Sequence, residues 1–247
     1  MTELFGAMRS VVQERYALLA PESFVPSQLP GWEKAACHVL ISPGMGARFS
    51  QLLIRLERDG QCAGNTGVNE YFLYVLDGAA SVLIEARKHR LEPGNYAYLP
   101  AGQDVQIASG APATRLLVFQ KPYRPVSGVP RPAGLSGHER EARSQPLRNN
   151  GDVRLQALLP EHPAFDMTVS LLTCPPGAAL PVIEAPVMER GWLILRGQGL
   201  CRLGSDWHPV REGDVIWTAP YCPQWFLAMG KTPACCLYYQ DINRDPV

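Results

Sequence analysis

Apolar and polar residues alternate along most of the chain in short runs, and Gly, Pro, Asn or Asp punctuates the runs. A period of two places successive side chains on opposite faces of an extended backbone, so the pattern predicts half-buried strands rather than helices. In the first half such strands are predicted at Gln51–Leu56, Phe72–Leu76, Ala80–Glu85, Tyr96–Leu99 and Arg115–Gln120.

Sliding the chain against itself reveals a second copy of this pattern. Leu73-Tyr74-Val75-Leu76-Asp77-Gly78 falls on Trp192-Leu193-Ile194-Leu195-Arg196-Gly197 at an offset of 119. The same offset sets Gly94 to Pro100 on Gly213 to Ala219, and Leu117-Val118-Phe119 on Cys236-Leu237-Tyr238. Upstream, Gly60 pairs with Gly177 at 117, so the second copy carries two extra residues there. Two tandem antiparallel small barrels or jelly rolls follow. The expected division is residues 1–122 for the first barrel, 123–150 for a Pro-rich, charged connector that is either solvated throughout or pairs a short segment onto a barrel, and 151–247 for the second.

Composition narrows the classes of function. With 23 basic and 23 acidic side chains there is no surplus positive charge to neutralise a phosphate backbone, so nucleic acid is not the expected partner. A hydrophobic content of 46% leaves enough apolar surface for packed cores and argues against disorder. No apolar run is long enough for a transmembrane helix, and Arg9, Glu14 and Arg15 interrupt the N-terminal region where a signal peptide needs an apolar core, so no membrane partner and a cytoplasmic protein are expected. Seven scattered cysteines without a C-x-x-C read as buried small hydrophobes.

The strand ending in Val75-Leu76-Asp77-Gly78, followed by Gly94-x5-Pro100-Ala101-Gly102, resembles the two conserved motifs of the cupin superfamily. Two such units make an all-β bicupin. Leu19-Ala20-Pro21-Glu22-Ser23-Phe24-Val25, Leu29-Pro30-Gly31-Trp32, Phe119-Gln120-Lys121-Pro122-Tyr123, Ile183-Glu184 followed by Gly191, and Tyr239 to Asp245 resemble the (S)-ureidoglycine aminohydrolase family more closely. That resemblance implies a homo-oligomeric manganese enzyme of ureide breakdown, releasing ammonia from ureidoglycine. It also implies a metal in the C-terminal barrel, held by Glu-x-His-x3-His and by a Gln of the second motif.

Glu184 and Gln224 match those ligand positions, whereas Pro186 and Arg190 stand where the two histidines belong. Proline has no side-chain donor atom and a guanidinium is permanently positive, so no tight metal is expected. A weakened manganese site, for instance from Glu184, Glu189 and Gln224, stays open. Gln240 replaces a lysine of the family pattern, and Leu193 a common tyrosine. The N-terminal copy has Val105 at the second-motif position, and all five histidines lie outside both motif windows, His208 in a hairpin-like, solvent-facing stretch.

Alternation puts Arg190 and Trp192 on one face, Gln224 and Phe226 on one face, and Tyr238 and Gln240 on one face, and the resemblance makes those faces inward. Glu184, Arg190, Trp192, Gln224, Phe226, Tyr238 and Gln240 are therefore the expected substrate-binding set, for a small carboxylate or ureide. Arg190, paired with Glu184, is expected to stand where the family holds its metal. Three functions remain open at this point: an aminohydrolase with altered or lost activity, a metal-free carboxylate-binding or catalytically silent bicupin, and a structural bicupin whose exposed strands mediate assembly.

Overall fold

The computed structural model describes residues 9–147 and 150–242, so the Asn243-Arg244-Asp245 part of the expected family ending lies outside the described residues. Strands dominate, joined by turns and three single 3-10 turns, and there is no α-helix among the described residues. Among the described residues no helix is long and apolar enough to cross a membrane.

The chain folds as two compact units. One gathers the described residues of 25–143 together with 158–166. Its ten-stranded antiparallel sheet includes Ser50–Asn65, Asn69–Asp77, Asn95–Leu99, Asp104–Ser109 and Ala113–Pro122. Along Ser50–Asn65, Leu52, Ile54 and Leu56 are buried while Arg55 and Glu57 are exposed, the alternation that the sequence displays. Leu73, Val75, Val105, Ile107, Leu116 and Val118 join them, so hydrocarbon fills the interior of this barrel. The opposite face of the sheet carries an aromatic layer: Phe72 stacks on Tyr96 at 5.6 Å and lies 6.4 Å from Phe119. Lys121 donates to the Asp166 backbone oxygen at 2.9 Å and pairs with its carboxylate at 3.0 Å, pinning the 158–166 segment to this unit.

The other unit gathers the described residues of 9–24, 144–157 and 167–242. An eight-stranded sheet contains Tyr16–Leu19, Met167–Cys174, Arg190–Arg196, Val215–Thr218 and Ala234–Asp241, and a three-stranded sheet contains Gln198–Leu203, Asp206–Arg211 and Gln224–Met229. Trp192, Ile194, Ile216 and Cys236 of the first sheet meet Cys201, Leu203, Phe226 and Ala228 of the second in one core.

These units depart from the sequential division: residues 9–24 join the second barrel, residues 158–166 join the first, and the expected connector is divided between the two. Strand Tyr16–Leu19 pairs antiparallel with Val215–Thr218, so the described residues 9–24 complete the C-terminal barrel and not the N-terminal one. Within the expected connector, Leu135–His138 pairs with Asn95–Leu99, and Ser144–Leu147 pairs with Asn150–Ala157. Pairing across about 200 residues leaves no local trace in the chain, which is why the alternation pattern does not show it.

The internal repeat is visible in the pairing. Leu73 faces Ala97 as Trp192 faces Ile216, and the last strand of each copy is irregular at the same point, opposite Leu76 and Leu195. The offset of 119 fails at the final strand, however. Leu73 faces Val118 whereas Trp192 faces Tyr238, an offset of 120, because the turn before Ala234 is one residue longer than the turn before Ala113. A one-residue slip exchanges the two faces of a strand, so the correct counterpart of Tyr238 is Val118, not Phe119. Gly78 and Gly197 hold equivalent turns at φ 76° and 79°. A Cβ on Gly78 would stand 2.2 Å from the Ala113 carbonyl oxygen, and one on Gly197 would stand 2.7 Å from that of Pro233. Only glycine fits either turn.

The N-terminal segment is also tied by charge. Arg9 grips the Asp214 carboxylate with two bonds of 2.7 and 2.8 Å, and the Asp214 side chain is fully buried. The bond to Asp214 raises the Arg9 guanidinium above its ordinary range. Arg9→Ala is expected to strand that carboxylate and to destabilise the protein by about 2–3 kcal/mol, below the usual figure for a fully buried pair because Arg9 is a quarter exposed. Urea denaturation of the two proteins checks it, and an unchanged midpoint would remove Arg9 from the fold's supports.

Candidate functional site in the C-terminal barrel

Strand Arg190–Arg196 runs between Val215–Thr218 and Ala234–Asp241, and its first residue faces Thr218 on one side and Gln240 on the other. Trp192 and Ile194 point into the core, so alternation carries the Arg190 side chain inward as well. The guanidinium is buried and fixed on three sides. Nη1 donates to Glu184 Oε2 at 2.7 Å, Nε donates to Gln240 Oε1 at 3.1 Å, and Cζ lies 5.3 Å from the centre of the Tyr238 ring. The Tyr238 hydroxyl donates to the same Gln240 oxygen, and Trp192 meets the Tyr238 ring edge-on at 5.1 Å.

Glu184 lies in the irregular stretch before this strand and is held by its backbone, which exchanges two hydrogen bonds with Gln224 at 3.0 and 2.8 Å. Two residues on, the Pro186 carbonyl accepts from the Tyr221 backbone N–H at 2.6 Å, and Tyr221 adopts φ 58° to make that contact. Positive φ is strained for a residue other than glycine, and such strain collects where a loop must be held in one place. Gln224 is almost fully buried, with Phe226 beside it on the inward face. Its Oε1 accepts from Thr218 Oγ1 at 3.1 Å.

The structure thus brings the seven expected residues together in one barrel: Arg190 touches Glu184, Gln240 and Tyr238, Tyr238 touches Trp192, Gln224 is paired to Glu184, and Phe226 shares their core. Thr218 is an addition. Its place two residues after inward-facing Ile216 was the available signal, and nothing in the residue type suggested it.

Glu189 does not join them. Its carboxylate accepts from Trp217 Nε1 at 3.2 Å, and Trp217 lies between Ile216 and Thr218 in alternation, on the face away from the core. The idea of Glu184, Glu189 and Gln224 around one ion therefore fails on geometry. His208 departs from expectation too. It is half-buried, its Nε2 is 3.3 Å from the Tyr16 hydroxyl, and burial pushes its imidazole down. Tyr16 donates to Asp206 at 2.5 Å, and burial first, then that bond, pushes the phenol up to about 12. All seven cysteines are buried, and none of them forms a disulfide among the described residues. Burial raises the Cys201 thiol to about 12 and moves Cys222 the same way, so both stay protonated apolar groups rather than thiolate ligands.

The donors around Arg190 do not fit the manganese ion that the resemblance implies. Glu184 is engaged by a guanidinium, Gln224 Oε1 by Thr218, the Pro186 carbonyl by Tyr221, and position 190 is itself a cation. Among the described residues no three His, Cys, Asp or Glu side chains are grouped to hold an ion. A divalent cation ~4 Å from a fixed unit positive charge would meet about 8 kcal/mol of repulsion at an effective dielectric of about 20.

Comparison with known proteins places the whole chain. A probable (S)-ureidoglycine aminohydrolase of Oryza sativa subsp. japonica is 37% identical over 250 residues, covering 100% of this chain and 79% of the relative. The chain belongs to the (S)-ureidoglycine aminohydrolase family. The (S)-ureidoglycine aminohydrolase of Escherichia coli K12 is 34% identical over 245 residues, covering 97% of this chain and 93% of the relative. Among solved structures, the Escherichia coli protein Ylba superposes with a TM-score of 0.87 at 31% identity, covering 98% of this chain and 97% of that one. Bacillus subtilis oxalate decarboxylase superposes at 0.69 with 12% identity, covering 93% of this chain and 78% of that one, a likeness of fold that fits the bicupin architecture. No family model matches the chain. Against this family background, the Arg190–Glu184 pair occupies the positions at which the resemblance implies metal ligands.

Proposed function

We propose that the C-terminal barrel of this family member binds a small carboxylate or ureide at Arg190 without a resident divalent metal, and that metal-dependent release of ammonia is not its reaction. The observation that carries the reading is the 2.7 Å bond between Arg190 and Glu184, which places a fixed cation among the positions of the implied ligands. A guanidinium can hold a carboxylate by two parallel hydrogen bonds. It cannot act as a Lewis acid or lower the pKa of a bound water as a metal does. The surrounding aromatic side chains with a few polar groups make the usual lining of a small-molecule site. Binding would then survive where hydrolysis does not.

A second reading is favoured by the identity across the full chain: the ammonia-releasing reaction named for the relatives is retained. Purified protein separates the two. Elemental analysis is expected to find far less than one manganese per chain, ammonia release from (S)-ureidoglycine is expected to stay at the spontaneous rate with or without added manganese, and (S)-ureidoglycolate is expected to raise the melting temperature. Manganese-stimulated ammonia release would return the protein to the second reading.

A further inference from the structure

Gln224 carries a feature that the Arg190–Glu184 pair does not explain. The residue is 1% exposed, its Oε1 is engaged by Thr218, and its Nε2 is buried with no hydrogen-bond partner among the described residues. Its main chain is fixed at this place in the barrel, because both its backbone N–H and its carbonyl are bonded to Glu184. Buried amide donors are almost always satisfied, so one left open inside a barrel is a position at which an oxygen of a ligand would bond. Glu184 links the two elements: its backbone holds Gln224, and its carboxylate holds Arg190. Thr218 links them again, facing Arg190 across the strands and donating to Gln224.

We infer that Gln224 Nε2 is a second recognition donor beside Arg190, and that the barrel selects small carboxylates bearing a further oxygen acceptor next to the carboxyl group over simple monocarboxylates. The inference rests on the proposed carboxylate site and adds its selectivity. In the resemblance this glutamine belongs to the metal's ligand set; here Glu184 and Thr218 connect it to a guanidinium, and its amide nitrogen meets the ligand instead. A site built to bond an oxygen discriminates against an analogue that lacks it, because the buried donor is then left unpaired.

Titration calorimetry of the full chain with oxamate and with acetate tests this, since the two share a carboxylate and only oxamate adds a carbonyl oxygen. Oxamate is expected to bind the unaltered protein at least about tenfold more tightly than acetate. Gln224→Met removes the donor at nearly constant length, and is expected to weaken oxamate at least about tenfold more than it weakens acetate. Gln224→Glu keeps an acceptor for Thr218 and serves if the methionine variant does not fold; it is expected to weaken oxamate by more than it weakens acetate. Oxamate affinity unchanged in the variants, or an equal loss for both ligands, would overturn the role of Gln224. Failure of the unaltered protein to bind either ligand would instead overturn the carboxylate site itself.

Discussion

Replacing Pro186 and Arg190 together by histidine is expected to convert the C-terminal barrel into a manganese site. The double change removes the resident positive charge and supplies two imidazoles at the spacing that the family resemblance implies, next to Glu184 and Gln224, which are already in place. Imidazole with carboxylate and amide oxygen is a reasonable donor set for that ion. The loop should tolerate the change, because the Pro186 contact with Tyr221 uses the backbone carbonyl, which histidine keeps. The parent chain, dialysed against micromolar manganese, should emerge nearly free of the metal, and the variant with about one ion per chain. Either single variant should bind far less, since each leaves one ligand missing and Pro186→His alone also leaves the guanidinium. A folded double variant that stays metal-free would mean that something besides these two side chains keeps the ion out.

The second large effect concerns the ion pair itself, and its two halves are not equivalent. Glu184 keeps 25% of its side chain exposed, so after Arg190→Met it can reach water, and the loss is expected to be about 2 kcal/mol. Arg190 keeps only 10%, so Glu184→Gln leaves a buried cation with the Gln240 oxygen and the Tyr238 ring as its remaining partners, at about 3–4 kcal/mol. The order, glutamate substitution worse than arginine substitution, is the decisive readout in a denaturant series. Arg190→Met should in addition abolish stabilisation by (S)-ureidoglycolate, an effect of about 2.7 kcal/mol at a hundredfold excess over Kd. Equal destabilisation by both variants, with the ligand effect intact in Arg190→Met, would show an ion pair that merely fills the barrel.

The site was legible in the sequence to the extent that strand alternation and the family resemblance reach. Arg190, Trp192, Gln224, Phe226, Tyr238 and Gln240 each lie on a strand whose inward face follows from a period of two, and the structure places them accordingly. Glu184 lies outside any regular strand, and its place came from the resemblance alone. Thr218 was invisible because a threonine in a strand has no chemistry that marks it until its neighbour is known. The fold was legible where glycines and alternation coincide, as at Gly78 and Gly197. It was not legible where the polar content hides a strand: Arg87–Leu91 is largely exposed, and its sequence RKHRL has no apolar face to display. The extra residue before Ala234 could not be seen either, since sliding the chain without a gap still aligned three apolar residues with three apolar residues.

The pairing of Tyr16–Leu19 with Val215–Thr218 sets the order in which the molecule can be finished. During translation the first of these strands leaves the ribosome about 200 residues ahead of the second, an interval of roughly 10–40 s at ordinary rates of synthesis. Throughout that time an apolar segment waits for a partner that does not yet exist, open to capture by chaperones or by other nascent chains. A cut in the 123–150 region would not yield two independent halves either, because the downstream fragment would leave the Val215–Thr218 strand as an uncovered sheet edge.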